Sequence, residues 1–275
     1  MRNISPRTVF ISLTVALGGF LMGFDASVIS GVVGFIETAF ELNEIQLGWA
    51  VSSLTLSATL SMLLAGPLSD RISRKKVLSI AAVLYALSAV FSALAPSFTI
   101  LVMARMLGGL GVGASLIIAP MYIAEIAPPK ARGLLVSFNQ LNIVIGISVA
   151  FFTNYAILKL GQSEYSWVAN LGIDKYNWRW MLGLEAIPAV IYFFSLFFVP
   201  KSPRWLIMKN KLEEAISVMK KTLAENYSPE KIKTIQQSLK TNENQSKARL
   251  KELFQPALKH ILIIGLALAI LQQIT

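Results

Sequence analysis

Six apolar segments of about twenty residues, joined by polar connections, fill this chain from residue 9 to residue 199. Such a run matches the roughly 30 Å hydrocarbon core of a bilayer. Inside hydrocarbon every backbone N–H and C=O must find its partner within the protein, so each run is expected to be a helix. The expected spans are residues 9–31, 46–66, 77–95, 98–123, 134–158 and 178–199. A seventh is expected to begin at His260 and to be cut off at Thr275. Pro96, Pro128 with Pro129, and Pro200 punctuate the ends, where a missing N–H is tolerated. The first run is too long for a cleaved leader and carries Asp25.

Composition supports this reading and removes others. Apolar residues make up 55% of the chain and charged residues 15%, against roughly a quarter in soluble domains. Mean hydropathy is +0.61. The net charge of +10 does not point to nucleic acid, because the basic residues sit in loops and are not interleaved with aromatics on a soluble module. Cysteine is absent, which excludes disulfides, thiolate catalysis and cysteine metal sites. With no metal cluster, nucleophile–base pair or phosphate loop in the sequence, neither an enzyme nor a cofactor is expected.

Lys and Arg set the expected orientation. Arg2 and Arg7, then Arg71, Arg74, Lys75 and Lys76, then Lys130 and Arg132, and the many basic residues between Lys201 and Lys259 fall on one side. Only Lys159, Lys175 and Arg179 fall on the other, whose first loop is acidic with Glu37, Glu41 and Glu44. The positive side is expected to be cytoplasmic, with the amino terminus inside a plasma (inner) membrane. Residues 200–259 are polar and include an amphipathic stretch over 212–221, expected as short helices on the cytoplasmic face, broken near Ser228 and Pro229. The domain plan is therefore residues 1–199 as a six-helix bundle, 200–259 as a helical linker and 260–275 as the start of a seventh span. This is an all-α membrane protein and half of a twelve-helix plan, each half built of two inverted three-helix repeats. The first and fourth spans would then correspond.

Polar groups inside the spans mark the candidate sites, because a charge in hydrocarbon is costly. Asp25, Arg105 and Glu185 are expected roughly 10 Å below the outer surface, counting 1.5 Å per residue. At one depth they can neutralise each other. A carboxylate whose proton affinity depends on whether a guanidinium stands beside it is a proton relay; a purely structural ion cluster is the plainer alternative. Gln140 is expected near mid-membrane, and Gln272 and Gln273 about as deep in the seventh span. Amides donate and accept, so they suit a neutral, hydroxyl-rich ligand, or else they bond neighbouring helices. Asn139 and Asn142 flank Gln140 on other faces. The glycines Gly109, Gly111 and Gly113 lie inside an apolar helix with no strand before them, which favours close helix packing over a nucleotide loop. His260, alone at a membrane edge, is given no role.

Several motifs in order complete the reading. They are Gly18 to Asp25 with Ile29-Ser30-Gly31; Asp70-Arg71-Ile72-Ser73-Arg74-Lys75; Arg105 through Gly113; Pro120 to Pro128 with Arg132-Gly133; Asn177-Trp178-Arg179-Trp180; Pro200 to Leu206; and Gln272-Gln273. In this set the chain resembles the sugar porter family of the major facilitator superfamily, in particular bacterial proton-coupled pentose and hexose symporters. The resemblance implies that Asp25 is the proton-coupling acid, Arg105 its switch and Glu185 a helper. It implies that Gln140, Gln272 and Gln273 contact sugar hydroxyls. It implies that Asp70, Arg71, Arg74, Glu125, Arg132 and Arg204 form a cytoplasmic charge latch. The implied activity is proton-coupled import of a monosaccharide, with a sugar or polyol uniporter or a non-transporting sugar sensor as alternatives. The implied partners are a monosaccharide, protons and the lipid bilayer, with no nucleic acid. Ser73 stands where the family carries glycine, and Lys201 where it carries glutamate. The family continues for about five and a half more helices, so a carboxyl-terminal six-helix half, with part of the sugar site, is expected to be missing.

Overall fold

The computed structural model describes residues 5–223 and, beyond them, the helical positions 232, 237, 262–265, 267 and 271. The chain divides into two units, Met1–Tyr227 and Ser228–Thr275. The expected break near Ser228 and Pro229, and Gln272, Gln273 and His260, lie outside the described residues.

The first unit contains α1 (Pro6–Phe40), α2 (Glu44–Ile72), α3 (Arg74–Leu94), α4 (Phe98–Ile126), α5 (Arg132–Gly161), the short α6 (Ser166–Asn170), α7 (Asn177–Gly183), α8 (Ala186–Ser195), α9 (Pro203–Met208) and α10 (Leu212–Leu223). Six stretches are long and apolar enough to cross a membrane; α7 and α8 together form the sixth. Local sequence sets the helix starts. Ser5 accepts from the Thr8 N–H ahead of Pro6, Asn43 and Gln46 form a capping box, and Ser97 accepts from the Ile100 N–H.

Three spans differ from expectation, the second because α2 runs on to Ile72 and carries Asp70 and Arg71 on the helix instead of in a loop. The first does not stop at residue 31; α1 continues to Phe40, because Val32 and Ile36 are buried in an apolar cluster with Ala150, Ile173 and Trp178. Asp25 therefore lies near the middle of its helix. The sixth span is not one helix but α7 and α8, with turns at Leu184 and Glu185. Pro188 has no N–H to give the Leu184 carbonyl, which accepts instead from Ile187 at 3.1 Å.

The packing is that of an inverted repeat. α1 packs on α5 as α2 packs on α4, α3 packs on α4 as α7 and α8 pack on α1, and α1 meets α4 at the centre. Exchanging the first three spans with the last three maps this pattern onto itself. The glycines follow the same exchange. A Cβ on Gly19 or Gly23 would collide with the backbone of Asn139 or Ile143 in α5, and a Cβ on Gly109 or Gly113 with that of Leu54 or Ala58 in α2. Both helix pairs thus approach through a small residue every fourth position.

The turn between α2 and α3 holds a strained backbone position. Ser73 has φ 93° and ψ 150°, a region that is nearly glycine-only and costs about 1–3 kcal/mol for other residues. The turn forms nonetheless. The Ser73 N–H donates to the Ser69 carbonyl at 3.0 Å, and its hydroxyl caps the Lys76 N–H at 3.3 Å.

Overpacking a close helix contact costs about 1–3 kcal/mol. Gly109→Val is therefore expected to lower the thermal unfolding midpoint of the purified protein. Gly34→Val, which meets nothing within 4 Å, is expected to leave it unchanged.

Candidate functional site

The centre of the first unit holds a buried ion pair. Arg105 Nη1 donates to Asp25 Oδ1 at 3.3 Å, with the two side chains 2% and 4% exposed. Arg105 Nε donates to the Ala50 carbonyl at 3.0 Å. One guanidinium thus ties α4 to both α1 and α2. Asp25 Oδ2 has no hydrogen-bond partner. Gly108 keeps the approach open, for a Cβ there would lie 3.8 Å from Asp25 Oδ2 and against the Ser88 hydroxyl.

The three predicted ionisable residues are not joined in one contact. Asp25 and Arg105 meet. Glu185, at the turn between α7 and α8, is buried and feels both charges but makes no ion pair with either within 4.0 Å. Asp25 and Arg105 lie on repeat-related helices, yet at different positions. The offset that takes Gly19 to Gly109 takes Asp25 to Ser115, and the same offset relates Val15 to Arg105. The pair arises from a broken symmetry, one repeat supplying the acid and the other the base.

Sequence reasoning missed the polar groups around this pair. Tyr85 and Ser115 are buried with their hydroxyls close to each other, and Tyr85 also lies near Asp25, Glu185 and Tyr192. The Tyr192 hydroxyl donates to the Val15 carbonyl at 3.4 Å. Tyrosines inside apolar spans, at 85 and 192, were the available signal. On α5, Asn139 is buried with Oδ1 unpartnered, whereas Gln140 is exposed on the surface of the unit.

At the basic end, half of the expected latch assembles. Arg74 Nη2 lies 2.8 Å from Asp70 Oδ1 and 3.1 Å from Glu125 Oε1, and Nη1 donates to the Ser69 carbonyl at 3.3 Å. Arg71 and Arg132 are exposed and Arg204 is half-buried; among the described residues none of the three forms an ion pair within 4.0 Å. The helices after the bundle are tied in as well. Trp205 Nε1 donates to the Asp70 carbonyl at 3.1 Å, and the Tyr122 hydroxyl to the Pro200 carbonyl at 2.7 Å. The Ser5 hydroxyl donates to the Thr222 carbonyl at the end of α10 at 2.9 Å. Lys201 is 3.6 Å from Glu214 and stands over the Trp205 ring at 5.8 Å.

A six-span helical bundle with a carboxylate and a guanidinium buried at its centre is the build of a membrane transporter, not of an enzyme. The chain belongs to the sugar (and other) transporter family, whose model matches residues 11–275. It is 39% identical over 266 residues to the arabinose-proton symporter of Bacillus subtilis, covering 97% of this chain and 55% of that protein. It is 36% identical over 279 residues to the D-xylose transporter of Levilactobacillus brevis, covering 100% of this chain and 56% of that one. The solved structure of the proton:xylose symporter XylE bound to 6-bromo-6-deoxy-D-glucose matches with a TM-score of 0.78 at 34% identity, over 86% of this chain and 54% of that chain. The match is to the amino-terminal half of that major facilitator fold. The chain spans about half the length of the relatives it matches.

Removing one partner of a buried ion pair costs about 3–5 kcal/mol, because a charge is left buried and uncompensated. Arg74→Ala, which strands Glu125, is expected to destabilise the protein by that amount. Arg71→Ala, at an exposed position, is expected to stay within about 0.5 kcal/mol of the parent. Denaturation of the two variants in parallel measures the contrast.

Proposed function

We propose that this chain is the amino-terminal half of a twelve-helix carrier that imports a monosaccharide, a hexose or a pentose, together with a proton by alternating access. The Asp25–Arg105 pair carries the reading. Asp25 is held by one hydrogen bond and keeps its second carboxylate oxygen unpartnered, so that oxygen can receive a proton. Protonation removes the charge that holds Arg105 Nη1. Arg105 keeps its bond to the Ala50 carbonyl, so the α1–α4 tie loosens while the α2–α4 tie persists. Proton binding is thereby converted into a change in helix contact. Glu185, buried at a break in the sixth span, is the helper that adjusts the charge balance of the pair. The names of the similar proteins, an arabinose-proton symporter and a proton:xylose symporter, support sugar and proton as the two cargoes.

In this reading Gln140, exposed on α5, faces the cavity between the halves and hydrogen-bonds sugar hydroxyls together with Gln272 and Gln273. Arg74, Asp70 and Glu125 form the fixed part of the cytoplasmic latch. Arg71 and Arg132, both exposed, and Arg204, near Glu125, are the cations that the second half engages when that side closes. The protein sits in the plasma membrane with its amino terminus in the cytoplasm. A polyol carrier is the second reading. It is favoured by 34% identity over 98% of this chain to the major myo-inositol transporter IolT of Bacillus subtilis.

In the full-length protein, Asp25→Asn is expected to abolish sugar-induced alkalinisation of a weakly buffered cell suspension while sugar binding persists. Normal alkalinisation by this variant would remove Asp25 from the mechanism. For orientation, cysteines are placed at the partly exposed Ser163 and the exposed Ser217. An impermeant thiol reagent on intact cells is expected to label position 163 and spare 217; the reverse pattern inverts the topology.

A further inference from the structure

A cleft of about 360 Å³ opens where the first turn of α3, the 3-10 turn that follows α8 (Leu196–Phe198) and α10 meet. Its walls carry Lys75, Lys76 and Lys201 against a single carboxylate, Glu214. Lys201 and Glu214 face each other at 3.6 Å and are partly exposed, at 33% and 46%. Lys75 Nζ is held by the Phe197 carbonyl at 3.1 Å, close enough to Lys201 for the two ammoniums to repel. Lys76 is exposed and forms no ion pair among the described residues. Three cations against one anion leave the cleft short of negative charge, and the amino end of the 21-residue α3 adds to that deficit.

The outer lip is apolar. Phe197 and Phe198 are 63% and 73% exposed at the end of a membrane-spanning stretch. A basic pocket with an aromatic edge at a membrane boundary matches a molecule with an anionic head and apolar tails. Its volume is within the range of small-ligand clefts, about 300–1,000 Å³, and basic pockets between membrane helices bind anionic head groups. We propose that this cleft binds the phosphodiester head group of an anionic phospholipid, with Lys75, Lys76 and Lys201 on the phosphate and the acyl chains along Phe197 and Phe198. Lys201 is the decisive member. With glutamate at this position, two cations would face two anions and the cleft would be neutral. A lipid seated there bridges α3, the end of the sixth span and α10, and so adds to the two ties that already fasten α10 to the bundle, the Ser5–Thr222 bond and the Lys201–Glu214 pair.

The test titrates the purified chain in a neutral detergent with fluorescent-tailed phosphatidylglycerol and phosphatidylcholine. Phosphatidylglycerol is expected to bind at least about tenfold more tightly, with affinity falling as sodium chloride rises. Lys201→Glu is expected to erase that preference and leave phosphatidylcholine binding unchanged. Equal binding of the two lipids by the parent overturns the proposal without reference to any variant, as does a preference that survives Lys201→Glu. Displacement of phosphatidylglycerol by inorganic phosphate at matched concentration overturns the lipid assignment in favour of a free-anion site.

Discussion

The close approach of α1 to α5 and of α4 to α2 is the contact on which the rest of this structure depends. Helices in lipid gain nothing from hiding apolar surface, since the lipid is equally apolar. Van der Waals contact at small residues must supply the association instead. Gly19 and Gly23 on one side, and Gly109 and Gly113 on the other, bring backbone against backbone. This draws α1 and α4 into the centre, where over half of each span is buried. Only at that spacing can the Arg105 guanidinium reach both Asp25 and the Ala50 carbonyl.

Polar groups are treated differently at the rim and at the centre. At the rim, hydroxyls of Ser52, Thr59, Ser148 and Thr153 bond the carbonyl one turn back in their own helices and leave no donor unpaired. At the centre, Asp25 and Asn139 each keep an unpartnered oxygen. An unpaired buried polar group is costly, so a cluster of them is the mark of a place where something else binds.

The basic end works by a different logic. Arg74 is almost fully buried and its charge is divided between Asp70 and Glu125, so this cluster ties α2, α3 and α4 together. The neighbouring Ser73 turn accepts strain to keep α2 and α3 tightly connected. Arg71 and Arg132 project outward instead. Lys201 finds Glu214 on α10 and so keeps a partner of its own.

The six spans were legible in the sequence because backbone satisfaction in hydrocarbon leaves a run of twenty apolar residues only one conformation to adopt. The charged residues inside them were legible for the same reason, as costly exceptions. So was α10, whose apolar residues recur at helical spacing between polar ones over 212–221. What a span faces was not legible, because a helix that is apolar all round carries no periodic signal to orient it. That Asn139 turns inward while Gln140 turns outward was decided by the fit of α5 against Gly19 and Gly23. The extension of α1 to Phe40 was decided by apolar contacts to residues more than a hundred positions away, and the offset of Glu185 from the ion pair by the lost hydrogen bond above Pro188. Sequence determined that acid and base both lie within the membrane; only the packing of one repeat against the other decided that Asp25, and not Glu185, receives the hand of Arg105.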